Sequence, residues 1–162
     1  MDALITIADF TGLYNIAVSP SNDADLALFI TEYQDKYLRL FMGEKMYSEF
    51  DPEDNIYKPL IDGSDVFMLN SVWIKFDGLK KMLVPFVYFH FMRENSSKQT
   101  PVGLVDANVS NSIAVKPIDE CIMAWNNAVK IFNNGVKYCL KNNGTFPNFQ
   151  GEELGTINHL GI

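Results

Sequence analysis

Residues 76–94 read Phe-Asp-Gly-Leu-Lys-Lys-Met-Leu-Val-Pro-Phe-Val-Tyr-Phe-His-Phe-Met-Arg-Glu, and the fold turns on them. From Met82 to Met92 only Pro85, Tyr88 and His90 interrupt plainly apolar residues. A helix that is apolar all round has no solvent face and belongs inside a set of other elements. The run is shorter than the about 20 apolar residues a bilayer span needs. A buried strand competes, because short apolar runs are ambiguous by period alone. Length and flanks favour a helix, with Asp77 placed as N-cap and Arg93 in the last turn, where a cation suits the helix dipole. Pro85, about two turns in, should kink it or open one backbone bond. The expectation is a central helix with everything else packed around it.

Upstream, Thr6 and Asp9 have the spacing of a capping box opening a short helix that Gly12 would end. A longer helix follows, with Ser21 or Asn22 as cap and Asp23 and Asp25 in its first turn. Leu26, Phe29, Ile30, Tyr33, Tyr37, Leu40 and Phe41 form its apolar stripe, and Gly43 is its stop. Glu32 with Lys36, and Asp35 with Arg39, are acid-before-base pairs on the other side. A short helix is expected over Glu44 to Phe50. The acidic loop that follows lacks the glycine and the closing glutamate of a calcium loop, so it reads as a solvated turn. Val66–Leu69 and Ser71–Phe76 flank Asn70 as a β-hairpin.

Downstream, residues 95–116 have no period and form the longest loop. Such loops are uncommon unless they bind something or are disordered. Pro117 opens the last helix. There Ile118, Ile122, Trp125, Val129, Phe132, Val136 and Cys139 are spaced as a seam against another long helix. Residues 145–162, with Pro147 and four glycines counting from Gly144, cannot form a regular helix and read as an extended tail ending in apolar residues that dock elsewhere. The fold class expected is therefore mainly α. It is a small helical bundle around a central apolar helix, with one hairpin near 65–76, a long loop and an extended C-terminal tail. A helical domain over 1–144 and a docking tail over 145–162 divide the chain.

The chain's 162 residues suffice for one domain with a sizeable core. Its net charge of −7 has the wrong sign for gripping phosphates. Cys121 and Cys139 would stand roughly 27 Å apart on one helix, beyond disulfide reach, and read as reduced core thiols. The N-terminus reads as lacking a signal peptide. No phosphate loop, nucleophile elbow or metal motif occurs, and neither His90 nor His159 has a cysteine or carboxylate at ligand spacing. No cofactor, metal or catalytic residue is expected.

Tyr33, the run Tyr37-Leu-Arg-Leu-Phe-Met-Gly43, Tyr47 and Phe50 resemble the opening of small head–tail connector proteins of tailed bacteriophages. The likeness is nearest to those of phages of Bacteroides- and Flavobacterium-like hosts. Phe76-Asp-Gly-Leu-Lys80, Tyr88-Phe89, Arg93-Glu94, Thr100-Pro101 with Gly103, Trp125-Asn126 and Ile157-Asn-His-Leu-Gly-Ile162 continue it over nearly the whole chain. Arg39 departs from it, standing where an aliphatic residue is usual. The resemblance implies a non-enzymatic adaptor forming a dodecameric ring under the portal vertex, assembled in the host cytoplasm and ending in the virion neck. Its partners would be further copies of itself, the portal, and tail or other neck proteins, with DNA only passing through and no membrane. The expected interface residues are Phe67, Trp73, Phe149, Ile157, Asn158, Leu160, Gly161 and Ile162. Two alternatives stay open: another neck ring such as a stopper or tail-completion protein, or a small helical ligand-binding protein or enzyme with its pocket near His90 and Tyr88.

Overall fold

The computed structural model describes residues 3–17, 19–95, 99–100, 103–104 and 117–158. The chain is mainly helical. Helices α1 (Pro20–Met42), α2 (Glu44–Glu49) and α3 (Lys58–Ile61) precede a hairpin of β1 (Phe67–Leu69) and β2 (Val72–Ile74). Helix α4 (Leu79–Asn95), a two-residue ladder of β3 (Gln99–Thr100) and β4 (Gly103–Leu104), and α5 (Pro117–Lys141) follow. Single 3-10 turns lie at Ile7–Asp9, Gly12–Tyr14 and Asn55–Tyr57.

Helix α4 is the central element, as its composition demands. It packs against α5 on one side and α1 on another, with α3 and the Gly12–Tyr14 turn against it as well. Leu79, Met82, Leu83, Val84, Phe86, Val87, Tyr88, Phe89 and Phe91 are all buried, so the burial runs round the helix rather than along a stripe. Pro85 sits inside the helix. Asp77 is not its cap. The Gly78 carbonyl accepts the first helical bond, from Met82 N at 3.1 Å, while Asp77 pairs with Lys75 at 3.7 Å. Gly78 has φ 97°, and a Cβ there would come within 2.6 Å of the Ile61 carbonyl. The end of α3 therefore crosses the start of α4 so closely that only glycine fits, and the helix begins where that crossing puts it.

Helix α1 also begins earlier than expected. Pro20 takes the first helical position, and the Ser19 hydroxyl, not Ser21 or Asn22, accepts from Asn22 N at 3.1 Å. Leu26, Ile30, Tyr33, Tyr37 and Phe41 of the expected stripe are buried, Phe29 is half-buried, and Leu40 is exposed. Leu38, Met42 and Gln34 are buried instead, because α1 is covered by the N-terminal turn and α2 as well as by α4. The Gln34 carbonyl oxygen anchors the N-terminal segment, accepting from Leu4 N at 2.7 Å and Ile5 N at 3.3 Å. Arg39 ties α1 to α2, bonding Asp35 at 2.8 Å and Glu44 at 2.7 Å with its guanidinium over the Tyr47 ring. Thr6 and Asp9 form the expected capping box, but around a single 3-10 turn. A second turn begins at Gly12 rather than a helix ending there. In the acidic loop, Asp51 and Asp54 accept from Glu53 N and Ile56 N, each at 3.0 Å, and so cap their own turns.

In the region read as one long loop, Thr100 pairs with Gly103 and Gln99 with Leu104. The rest of 96–116 lies outside the described residues. On α5 the seam holds at Val129, Phe132, Val136 and Cys139, whereas Ile118 is exposed. Ala124, Ala128 and Gly135 complete the buried face, small residues that let α5 approach its neighbours. Cys121 and Cys139 are buried and unbridged. No helix among the described residues is long and apolar enough to cross a membrane.

Gly135 provides a quantitative test. An added Cβ would meet the Phe76 ring at 2.7 Å and the Phe41 ring at 2.8 Å, and both rings are fully buried. Alanine gains up to about 1 kcal/mol of helix propensity, while overpacking a close-packed core costs about 1–3 kcal/mol. Gly135→Ala should therefore lower unfolding free energy by about 1 kcal/mol in urea titrations, opposite in sign to the usual helical Gly→Ala.

Candidate functional site

The hairpin presents the first candidate surface. Asn70 (φ 47°) and Ser71 (φ 65°) make its two-residue turn, the twist-matched type with both central residues left-handed. That turn sets Phe67 opposite Ile74, Met68 opposite Trp73 and Leu69 opposite Val72. Alternation along each strand then sends Phe67 and Trp73 to opposite faces. Phe67 is 8% exposed, its ring 5.6 Å from Tyr138 with Lys141 Nζ 5.3 Å above it. Trp73 is 66% exposed, with Met68 exposed opposite it; Val66 and Val72 are exposed as well, Val72 at the tip of the Phe67 face. The expectation that Phe67 and Trp73 share one intermolecular contact is thus corrected: Phe67 belongs to the chain's own core. The base of the hairpin is fixed by Ser64 N to Phe76 O at 2.8 Å, and by Asn134 Nδ2 to Lys75 O at 2.9 Å.

The second surface is the one α5 offers to the C-terminal segment. After α5 the chain turns at 142–145 and runs back along the helix. Phe146 is buried, Phe149 lies with its ring 5.4 Å from Phe41, and Gln150 N donates to Met42 O at 3.1 Å. Asn133 then grips Leu154 at both main-chain atoms, accepting from its N at 2.8 Å and donating to its O at 2.9 Å. Asn126 does the same to Ile157, at 2.8 and 2.9 Å. Between them Trp125 Nε1 donates to Gly155 O at 3.1 Å, and Lys137 pairs with Glu153 at 3.4 Å.

The two spacings match. Seven residues of helix advance roughly 10.5 Å, and three residues of extended chain cover roughly 10 Å. Each side-chain amide takes the place of a neighbouring strand. Leu154 and Ile157 half-bury their side chains against the core. In the lone chain the tail as far as Ile157 docks on its own body, whereas the sequence reading has it leave that body from Phe149 onward to anchor on a partner. Phe149 and Ile157 of the expected interface are packed here, and Asn158 is exposed. Leu160, Gly161 and Ile162 lie outside the described residues.

Sequence reasoning missed this clamp. Its signal is a pair of asparagine doublets seven residues apart, Asn126-Asn127 and Asn133-Asn134, in a helix interior that asparagine does not favour. The second members hold other parts: Asn127 Nδ2 donates to the Tyr14 hydroxyl at 3.1 Å and Asn134 to the hairpin base.

His90 and Tyr88 do not line one pocket. His90 faces α1, stacked on the Tyr33 ring at 3.8 Å with its Nε2 2.8 Å from the Tyr37 hydroxyl. Tyr33 in turn donates to Glu94 at 2.9 Å. Tyr88 faces the other way, edge-on to Tyr14 and donating to Glu120 Oε2 at 3.4 Å. Burial, then the positive charges of Lys36 and Arg93, push the His90 imidazole down to about 4. It is a neutral, hydrogen-bonded packing group at pH 7. Among the described residues no three His, Cys, Asp or Glu side chains are grouped to hold a metal ion. No family model, curated protein or solved structure matches the chain.

Two outcomes are expected from these arrangements. Replacing Asn126 and Asn133 together by Ala should speed amide exchange at Leu154 and Ile157 at least tenfold while leaving α4 amides unchanged. With Trp73→Phe as background, Trp125 emission should shift to the red as the tail lifts. His90 gives a pH dependence. Its folded pKa lies below 6.5, so between pH 6.5 and about 4 the unfolded chain binds a proton that the folded chain refuses. Stability attributable to His90 is therefore full above pH 6.5 and falls by about 2–3 kcal/mol on acidification to pH 4. His90→Gln should flatten that part of the urea-stability profile.

Proposed function

We propose that this chain is a structural ring subunit of a tailed-phage neck, sitting between portal and tail and lining the passage for DNA. The observation that carries the reading is the hairpin. An apolar pair, Met68 and Trp73, stands exposed on a two-stranded element whose other face is anchored to the core through Phe67. Exposed large aromatic residues on a rigid projection mark protein contacts more than solvent surface. A projection that meets a different patch on the next copy gives head-to-tail contacts, which close into a ring when the rotation between copies divides the circle.

Other features support the same reading. The one histidine with described surroundings is neutral and bonded on its Nε2, which suits packing rather than proton transfer. The net charge of −7 would repel DNA and so favour its free passage over its capture. The likeness of the aromatic motifs to head–tail connectors supplies the particular assembly. A stopper or tail-completion ring would use the same parts, and the portal is the partner that separates them in a binding assay.

Purified protein examined by electron microscopy and native mass measurement should form closed rings. Burying Trp73 is worth about 1.5–3 kcal/mol per contact, so Trp73→Ser should weaken each contact roughly ten- to a hundredfold and leave the subunit's Tm unchanged. A wild-type chain that stays monomeric at high concentration would sink the proposal. So would a Trp73→Ser chain that melts earlier yet still forms rings.

A further inference from the structure

The groove on α5 reads main chain rather than side chains. Its bonds from Asn133, Trp125 and Asn126 all go to backbone atoms of Leu154, Gly155 and Ile157. Other anchors of the arm are Phe146 and Phe149 in the core, Leu154 and Ile157 packed against it, Gln150 on Met42, Asn148 on Glu49 at 2.6 Å, and Glu153 on Lys137 at 3.4 Å. Nothing beyond the bend at 142–145 ties this arm to the chain that carries it rather than to an identical chain. The bend itself is exposed at Asn143, Gly144 and Thr145. A side chain at Gly144 would meet nothing within 4 Å, so the bend stands clear of the rest of the chain there.

We infer that residues 146–158 are an exchangeable arm. In the assembled ring, each copy's arm lies in the groove of the adjacent copy, held by that copy's Asn126, Trp125 and Asn133. The inference deepens the ring reading and rests on it. Every bond of the arm is remade identically in the neighbour, so the exchange itself is nearly balanced, and contacts elsewhere in the ring decide its direction. A lone subunit keeps its arm in cis because its own groove is the nearest one. The second copy is the occupant because the groove already accepts this segment with every clamp bond made and in matching register.

The test uses the unaltered full chain and the Lys137–Glu153 pair, 3.4 Å apart. Light and heavy-isotope chains are mixed in denaturant, refolded together and treated with a carbodiimide. The reagent joins the Lys137 amine to the Glu153 carboxylate as an amide, with loss of the elements of water to the reagent. The expected result, in the ring fraction, is a Lys137–Glu153 cross-linked peptide pair with mixed isotopes as abundant as the two pure kinds together. Rings containing only pure pairs would overturn the exchange and leave the ring reading standing. Pure pairs with no species larger than a monomer would overturn both. Mixed pairs in a small closed oligomer would keep the exchange and reject the neck ring.

Discussion

A helix without a polar face forces the rest of this protein into place. Helix α4 buries residues in every direction, so no single partner can satisfy it. Helix α1 covers one flank and α5 another, and the gaps are filled by α3 and the N-terminal turn. Aromatic rings do much of the filling. Phe86 stacks on Tyr37 at 3.9 Å and meets Trp125 and Phe132 edge-on, joining three helices through one side chain. Burial on this scale pushes the titrating groups that share it toward their neutral forms: Tyr37 and Cys139 upward, His90 downward. The core therefore carries no stored charge to use.

How far the sequence announced this differs from one element to the next, for physical reasons. Apolar period is a local property and locates α1, α5 and the hairpin, while α4 is marked by the length of an unbroken apolar run and its flanks. The start of α4 was not legible, because Gly78 is fixed by a crossing with residues 61–63 that no local pattern records. The two faces of the hairpin could have been read, since a two-residue turn at Asn70-Ser71 forces Phe67 and Trp73 apart. Composition alone pairs them. The tail is the instructive case. Its apolar residues and glycines rightly indicated an extended, docking segment, but the dock is built from asparagines in a helix whose apolar seam drew all the attention. Polar helical residues default to solvent in such readings, and here four of them hold three separate segments.

Helix α5 is thus two things at once. Its small and apolar face, with Ala124, Ala128 and Gly135, sits against the core. Its amide face fastens the parts of the chain that lack a core of their own: the Tyr14 turn, the hairpin base and the C-terminal arm. The division explains why asparagine is used. A side-chain amide offers a donor and an acceptor from one short stem, which suits a peptide's paired N–H and C=O. An aspartate lacks the donor, and a longer side chain would lose the spacing.

The direction in which the arm runs has a mechanical consequence. The arm runs antiparallel to α5, so a pull on the C-terminus along the helix axis loads the Asn133 and Asn126 bonds together, in shear. A pull away from the helix surface loads Asn126 first and Asn133 only after it has given way, as in opening a zip. The same four amide bonds are therefore strong against axial tension and weak against peeling. A subunit fastened by this arm resists traction in one direction and yields in another.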